Sequence, residues 1–351
     1  GYRIGLIVAG AGALFLAEYF GSTKATYNYA AWQQTYYIMA SLMLIGVVTT
    51  LLIKEPTVTR VQHERPMSDY FQLFLLFLIS VIALIASFIV IGHVLPETES
   101  KFLGFVYESI KFIGAVVIAI STALVLLKAK IIKKQVAVDM WVAPIQDFFI
   151  RYGKKAVWLI LLIGLYRISD IVAGTTSNLF YVNLGFSKTD IALAVKTFGM
   201  GMSIVGGILG GLLAERFKIM NAMLIGAILA SASNLLFVIL AGKGHDFFYM
   251  YSAVMFDNLA SGLASAIFVA FLSVLTNIRF SMVQYALLSS LMTLTPKILG
   301  GYSGAMVETM GYPAFFTFTA LIGIPVLLLI YMVDKHVMSQ DATRGDNITH
   351  E

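Results

Sequence analysis

Five charged residues stand where charge is most costly. Arg167 and Asp170 share one long apolar stretch, while Lys196, Asp257 and Lys297 lie in three others. Measured from one end of each stretch they sit roughly 10–20 Å deep at ~1.5 Å of helix per residue. That bracket contains the middle of a ~30 Å hydrocarbon core. A charge at such a depth faces a bundle interior or an aqueous cavity. Four stretches thus bring charge to one level, and three cations against two anions leave a positive surplus that an anionic ligand would neutralise. The competing reading is that these are buried pairs, Arg167 with Asp170 and Lys196 or Lys297 with Asp257, that only fix packing. Lys196 is close enough to a stretch end to snorkel to the surface.

The helical repeat decides what surrounds each charge. From Arg167 the spacing i, i+3, i+7, i+11 meets Asp170, Gly174 and Asn178. Lys196 heads Gly199, Ser203, Gly206 and Gly210; Asp257 and Asn258 lead to Ser261 and Ser265; Gln284 shares a stretch with Ser290, Thr293 and Lys297. Arg offers a planar fork to carboxylates and Lys a point charge. Asn178, Asn258 and Gln284 suit hydroxyls and amides. Buried carboxyl groups are natural proton carriers. Asp170 is the first candidate because Arg167, one turn away, can exchange it for ligand; Asp257 is the second. At the end of the Lys196 stretch, Gly210-Gly211-Leu212-Leu213-Ala214-Glu215-Arg216 reads as a gate, with Gly211 allowing close helix packing and Glu215 and Arg216 forming a breakable latch. The five histidines lack ligand spacing and cysteine is absent, so neither a metal nor another cofactor is expected.

Composition explains what must position these groups. Hydrophobic residues make up 59% of the 351, charged residues 12%, and mean hydropathy is +0.86. Soluble domains carry about 25% charge, so a soluble enzyme, a disordered tail and a nucleic-acid binder are excluded. Ten stretches are long enough to span a bilayer as helices: 1–20, 35–53, 71–94, 103–127, 156–180, 189–212, 219–241, 248–276, 281–305 and 313–333. They are too long for barrel strands, and the chain reads as an all-α integral membrane protein. Lys and Arg crowd alternate connections: Lys54, Arg60 and Arg65, the run from Lys128 to Lys155, then Arg216, Lys218, Arg279 and Lys335. The opposite connections hold only Lys24, Lys101, Lys188 and Lys243. The positive-inside rule makes the first set cytoplasmic. The domains expected are 1–65, two spans of an N-terminal bundle; 66–155, a central region; 156–335, a six-helix bundle; and 336–351, a tail. The central region holds a hairpin at 71–127 and then a basic stretch with Trp141, Phe148 and Phe149, either an interfacial helix or a solvated linker. The opening Gly-Tyr-Arg-Ile-Gly-Leu-Ile lacks Met and reads as a cut through a span.

Several stretches resemble the AmpG-type muropeptide permeases of the major facilitator superfamily. They are Gly1-Tyr2-Arg3-Ile4-Gly5, Glu55-Pro56, Ala143-Pro144-Ile145-Gln146-Asp147-Phe148-Phe149, Leu165-Tyr166-Arg167 with Asp170, Lys196-Thr197-Phe198-Gly199, Asp257-Asn258-Leu259 and Gln284-Tyr285-Ala286-Leu287-Leu288-Ser289, all in family order. The resemblance implies proton-driven import of anhydro-muropeptides (GlcNAc-anhydroMurNAc-peptides) across a bacterial inner membrane, with a consequent part in β-lactamase induction. Against a twelve-span facilitator, the first four spans are absent and the hairpin is extra; the family usually has Glu at the place of Asp257. On this reading Arg3 faces Arg167 and Lys297 from the other bundle, while Tyr2, Tyr166 and Phe198 stack on sugars. The expected partners are the bilayer, the muropeptide and protons, with no nucleic acid, and the protein is expected to be a monomer. Rival readings within the fold are an acetyl-CoA carrier or a drug/proton antiporter.

Overall fold

The computed structural model describes residues 5, 12–22, 28–53, 66–96, 98, 100–129 and 133–338. They are helical almost throughout, with no strand among them. The helices are α1 (Ala13–Tyr19), α2 (Tyr29–Leu52), α3 (Met67–Val94), α4 (Lys101–Lys128), α5 (Ala143–Tyr152), α6 (Ala156–Leu165), α7 (Ile168–Asn183), α8 (Met200–Arg216), α9 (Ile219–Lys243), α10 (Phe247–Leu275), α11 (Ser281–Gly300), α12 (Ser303–Leu321) and α13 (Gly323–Val333). Side-chain caps start two of the longest. Asn28 accepts from the Ala30 and Ala31 amides ahead of α2, and Asp246 from those of Phe248 and Tyr249 ahead of α10.

Among the described residues eight helices are long and apolar enough to cross a membrane, against the ten stretches expected. Most of the first stretch lies outside the described residues, and α1 supplies only seven of them. The ninth is present as α11, but Gln284, Ser290, Thr293, Thr295 and Lys297 leave it too polar to qualify on apolarity. The stretch expected at 156–180 is two helices rather than one. It breaks at Arg167, whose φ and ψ of −97° and 14° leave the helical region. The last expected stretch also begins earlier and runs further: α12 breaks at Gly311 (φ +77°), and helix continues through α13 into a π turn ending at Met338.

One apolar core joins the segment from Phe148 to Val337, centred on the fully buried Phe180, Phe237, Phe315 and Phe316. The tightest seam in it is α8 against α10. A Cβ added at Gly206 or Gly210 would strike the backbone carbonyl of Leu259 or Leu263, and one at Gly262 that of Ser203. Only glycine permits backbones so close. The stripe Gly199, Ser203, Gly206, Gly210 below Lys196 therefore packs against α10.

Helices α3 and α4 pair chiefly with each other and leave large apolar side chains such as Ile82, Ile85, Ile113 and Val117 exposed. That surface suits lipid, since helix backbones satisfy their own hydrogen bonds. The pair touches the rest at its two ends. Lys133 binds Asp69 at 2.8 Å and donates its amide to Gln72 Oε1 at 3.2 Å, and Phe77 meets Trp141. At the other end Phe105 meets Tyr302, ring centroids 5.2 Å apart.

Candidate functional site

The break before α7 makes Arg167 the residue that precedes the helix and puts Asp170 in its first turn. Arg167 Nε donates to Asp170 Oδ2 at 2.8 Å, and Nη2 forms an ion pair with the same oxygen. The guanidinium also reaches across to α10, where Nη2 donates to Ser261 Oγ at 2.9 Å and Nη1 to Ser265 Oγ. Both side chains are deeply buried, at 13% and 5% exposure. Asp170 Oδ1, also buried, has no hydrogen-bond partner among the described residues. Asp257 lies one turn before Ser261 on α10, half-buried and within electrostatic reach of both Arg167 and Asp170. It makes no hydrogen bond or ion pair to a described residue. A guanidinium spread over two helices, one carboxylate with a free oxygen and a second, half-buried carboxylate without a hydrogen bond to a described residue can hold an anion, a proton, or each in turn.

The other sequence candidates are placed differently. Tyr2 and Arg3 lie outside the described residues. Lys196, Asn178 and Lys297 are exposed and make no hydrogen bond or ion pair to a described residue. Asn258 donates to Val254 O at 2.9 Å in its own helix and packs on Gly199. Tyr166 is not poised for a sugar: it is 4% exposed, donates to Met223 O at 3.1 Å and stacks on Phe268 at 4.9 Å. Phe198 does face open space; with Phe247, Phe248, Tyr251 and Met255 it lines a cavity of about 440 Å³. At the gate motif, Gly211 has open space where a Cβ would go and Gly210 makes the close approach. Glu215 and Arg216 are exposed, and no ion pair joins them.

Gln284 departs furthest from expectation. It is 2% exposed and far along α11 from Lys297, in a network that the sequence reading missed. Gln284 Nε2 donates to Asp147 Oδ2 and to Pro144 O, both at 2.8 Å. Gln284 Oε1 accepts from the Asn277 amide at 2.7 Å and from Arg151 at 3.1 Å. Arg151 also binds Asp147 at 2.9 Å and Leu275 O at 3.1 Å, and Asn277 Nδ2 donates to Asp147 Oδ1 at 3.1 Å. The signal available was the i, i+4 pairing of Asp147 with Arg151 on one helix; nothing local ties either to Gln284.

The fold and this site define a multi-pass all-α membrane bundle, like that of the major facilitators, carrying a charged constellation inside it. Similarity to known proteins makes the type specific. The protein named anhydromuropeptide permease in Escherichia coli K12 is 29% identical over 332 residues, 94% of this chain and 51% of that protein. A Rickettsia conorii protein bearing an AmpG transporter name is 24% identical over 341 residues, 96% of this chain and 63% of its own length. An uncharacterised Haemophilus influenzae protein is 32% identical over 201 residues, 55% of this chain and 47% of that protein. No protein-family model matches the chain. The chain is thus similar over most of its length to proteins named as AmpG-type permeases. It spans about half the length of the Escherichia coli relatives it matches.

Proposed function

We propose that this protein imports anhydro-muropeptides across a bacterial inner membrane with protons, and so supplies the cytoplasmic signal for β-lactamase induction. The observation that carries the reading is the 29% identity across 94% of the chain to a protein named anhydromuropeptide permease. The Arg167 constellation supports it chemically. A muropeptide brings carboxylates for a guanidinium, and Asp170 then exchanges Arg167 for substrate as it takes a proton, with Asp257 as second carrier. Lys196, Lys297, Asn178 and Asn258 extend the site once a facing bundle, with Tyr2 and Arg3, closes over it. Glu215 and Arg216 latch the cytoplasmic gate, at the end that also carries Arg151 and Arg279. The divisions 1–65, 66–155, 156–335 and 336–351 follow from the same reading, as does a monomer.

The test is uptake into vesicles holding the protein. Labelled anhydro-muropeptide should accumulate under an imposed proton gradient and leak away when an uncoupler is added. Extrusion of cationic dyes, or accumulation of acetyl-CoA instead, would transfer the protein to one of the rival carriers.

A further inference from the structure

Two rails run from the basic end of the bundle to the Arg167 site. One is the stretch α5–α6, bent at Gly153 (φ +52°), whose second part rises about 17 Å from Ala156 to Arg167 at ~1.5 Å per residue. The other is α10, from Leu275 back to Ser265 and Ser261, about 15–21 Å by the same measure. The rails are tied at both ends. At one end Arg151 holds Leu275 O, with Asp147, Asn277 and Gln284 closing the knot. At the other end Arg167 holds Ser261 and Ser265. Between the ties Tyr166 stacks on Phe268, and α11 leans on the first rail where Thr295 and Leu291 meet Gly164.

The knot is chemically complete in a way that loop contacts seldom are. Asp147 receives donors from three residues: Gln284, Arg151 and Asn277. Arg151 sits where a cation is favoured, on the last carbonyl of a helix. The buried amide of Gln284 donates to Asp147 and to the Pro144 carbonyl, so α5, the 276–280 turn and α11 cannot separate without stranding polar groups, which is costly in a buried place. No ligand is needed to explain this network; its place in the fold needs explanation.

We propose that Asp147, Arg151 and Gln284 are positioning residues for transport: their knot sets the separation of α6–α7 from α10 at which Arg167 spans Asp170, Ser261 and Ser265. This rests on the transport reading for its functional consequence but not for its geometry, and the two are tested apart. The protein has no cysteine, so spin labels can be placed uniquely at exposed Leu179 on α7 and exposed Phe248 on α10. Arg151→Ala should shift or broaden the label distance by roughly 2 Å, the scale of helix shifts at packed interfaces. Asp147→Asn is the milder variant, retaining the side chain's size, and serves where Arg151→Ala does not insert. Both variants should weaken apparent muropeptide affinity about tenfold, the equivalent of one charge-assisted hydrogen bond, at equal membrane abundance. An unchanged distance distribution in inserted Asp147→Asn and Arg151→Ala would overturn the positioning role. An altered distance with unchanged uptake would overturn its link to transport. Absence of uptake by the unaltered protein would defeat the transport reading instead, with the distance measurement still deciding the geometry.

Discussion

Removing Arg167 strands Asp170. The aspartate is 95% buried at its side chain, its Oδ2 is bound by Arg167, and its Oδ1 already lacks a partner. Arg167→Leu therefore leaves a carboxyl group with neither oxygen satisfied. Breaking a buried pair from one side costs about 3–5 kcal/mol, whereas replacing both partners with apolar residues is often neutral. The two serine hydroxyls lose less. Ser265 keeps its bond to Ser261 O at 2.6 Å, and interhelical hydrogen bonds in membranes average only ~0.6 kcal/mol. Arg167→Leu should thus lose roughly 3–5 kcal/mol, and Arg167→Leu with Asp170→Leu markedly less, though both should be inactive in uptake. Unfolding of purified protein in detergent, followed by helix loss against denaturant, measures both together with Asp170→Leu and closes the cycle. Equal stability of Arg167→Leu and the unaltered protein would refute the reasoning, because Asp170 would then have another partner or carry no charge.

The seam between α8 and α10 separates two neighbouring glycines. Gly210→Ala should cost about 1–3 kcal/mol by overpacking against the Leu263 carbonyl, and Gly211→Ala, with open space, should be neutral in the same unfolding assay. Tyr166→Phe should keep the stack on Phe268 and leave apparent muropeptide affinity unchanged in uptake measurements, since the hydroxyl is committed to Met223 O. Asp170→Asn should abolish accumulation against a gradient but preserve exchange of labelled for unlabelled substrate; accumulation that survives would move the proton to Asp257. Arg167→Lys should keep the tie to Asp170 but not the reach to Ser261 and Ser265, raising the apparent affinity constant about tenfold at equal membrane abundance.

The elements were legible because membrane helices announce themselves by length. Depth counting put Arg167, Asp170, Lys196, Asp257 and Lys297 on one level; Arg167, Asp170 and Asp257 lie within electrostatic reach of one another, whereas Lys196 and Lys297 are exposed and stay outside that group. Two things were hidden. Periodicity gives the face of a helix without saying what covers it, so the stripe below Lys196 did not reveal its backbone contact with Leu259 and Leu263. Gln284 shares a helix with Lys297, and spacing alone could not show that the other end of that helix is knotted to Asp147 and Arg151, whose positions depend on how distant segments fold together. The helix break at Arg167 was also invisible, because neither Gly nor Pro marks it.

The hairpin of α3 and α4 has a consequence for how the protein is made. Its two helices bury their seam against each other, so they can insert and pair as soon as both have left the ribosome. The tie through Lys133 and Asp69 follows almost at once in the order of synthesis. The contact of Phe105 with Tyr302 cannot. Nearly 200 residues must be translated between them, which at ~5–20 residues per second is on the order of 10–40 s. For that interval one end of the hairpin is anchored and the other is free to dock on whatever lies beside it in the bilayer. The helix that carries Tyr302 therefore makes this contact late, and a ribosome stalled before Tyr302 leaves behind a paired hairpin with its aromatic contact unmade.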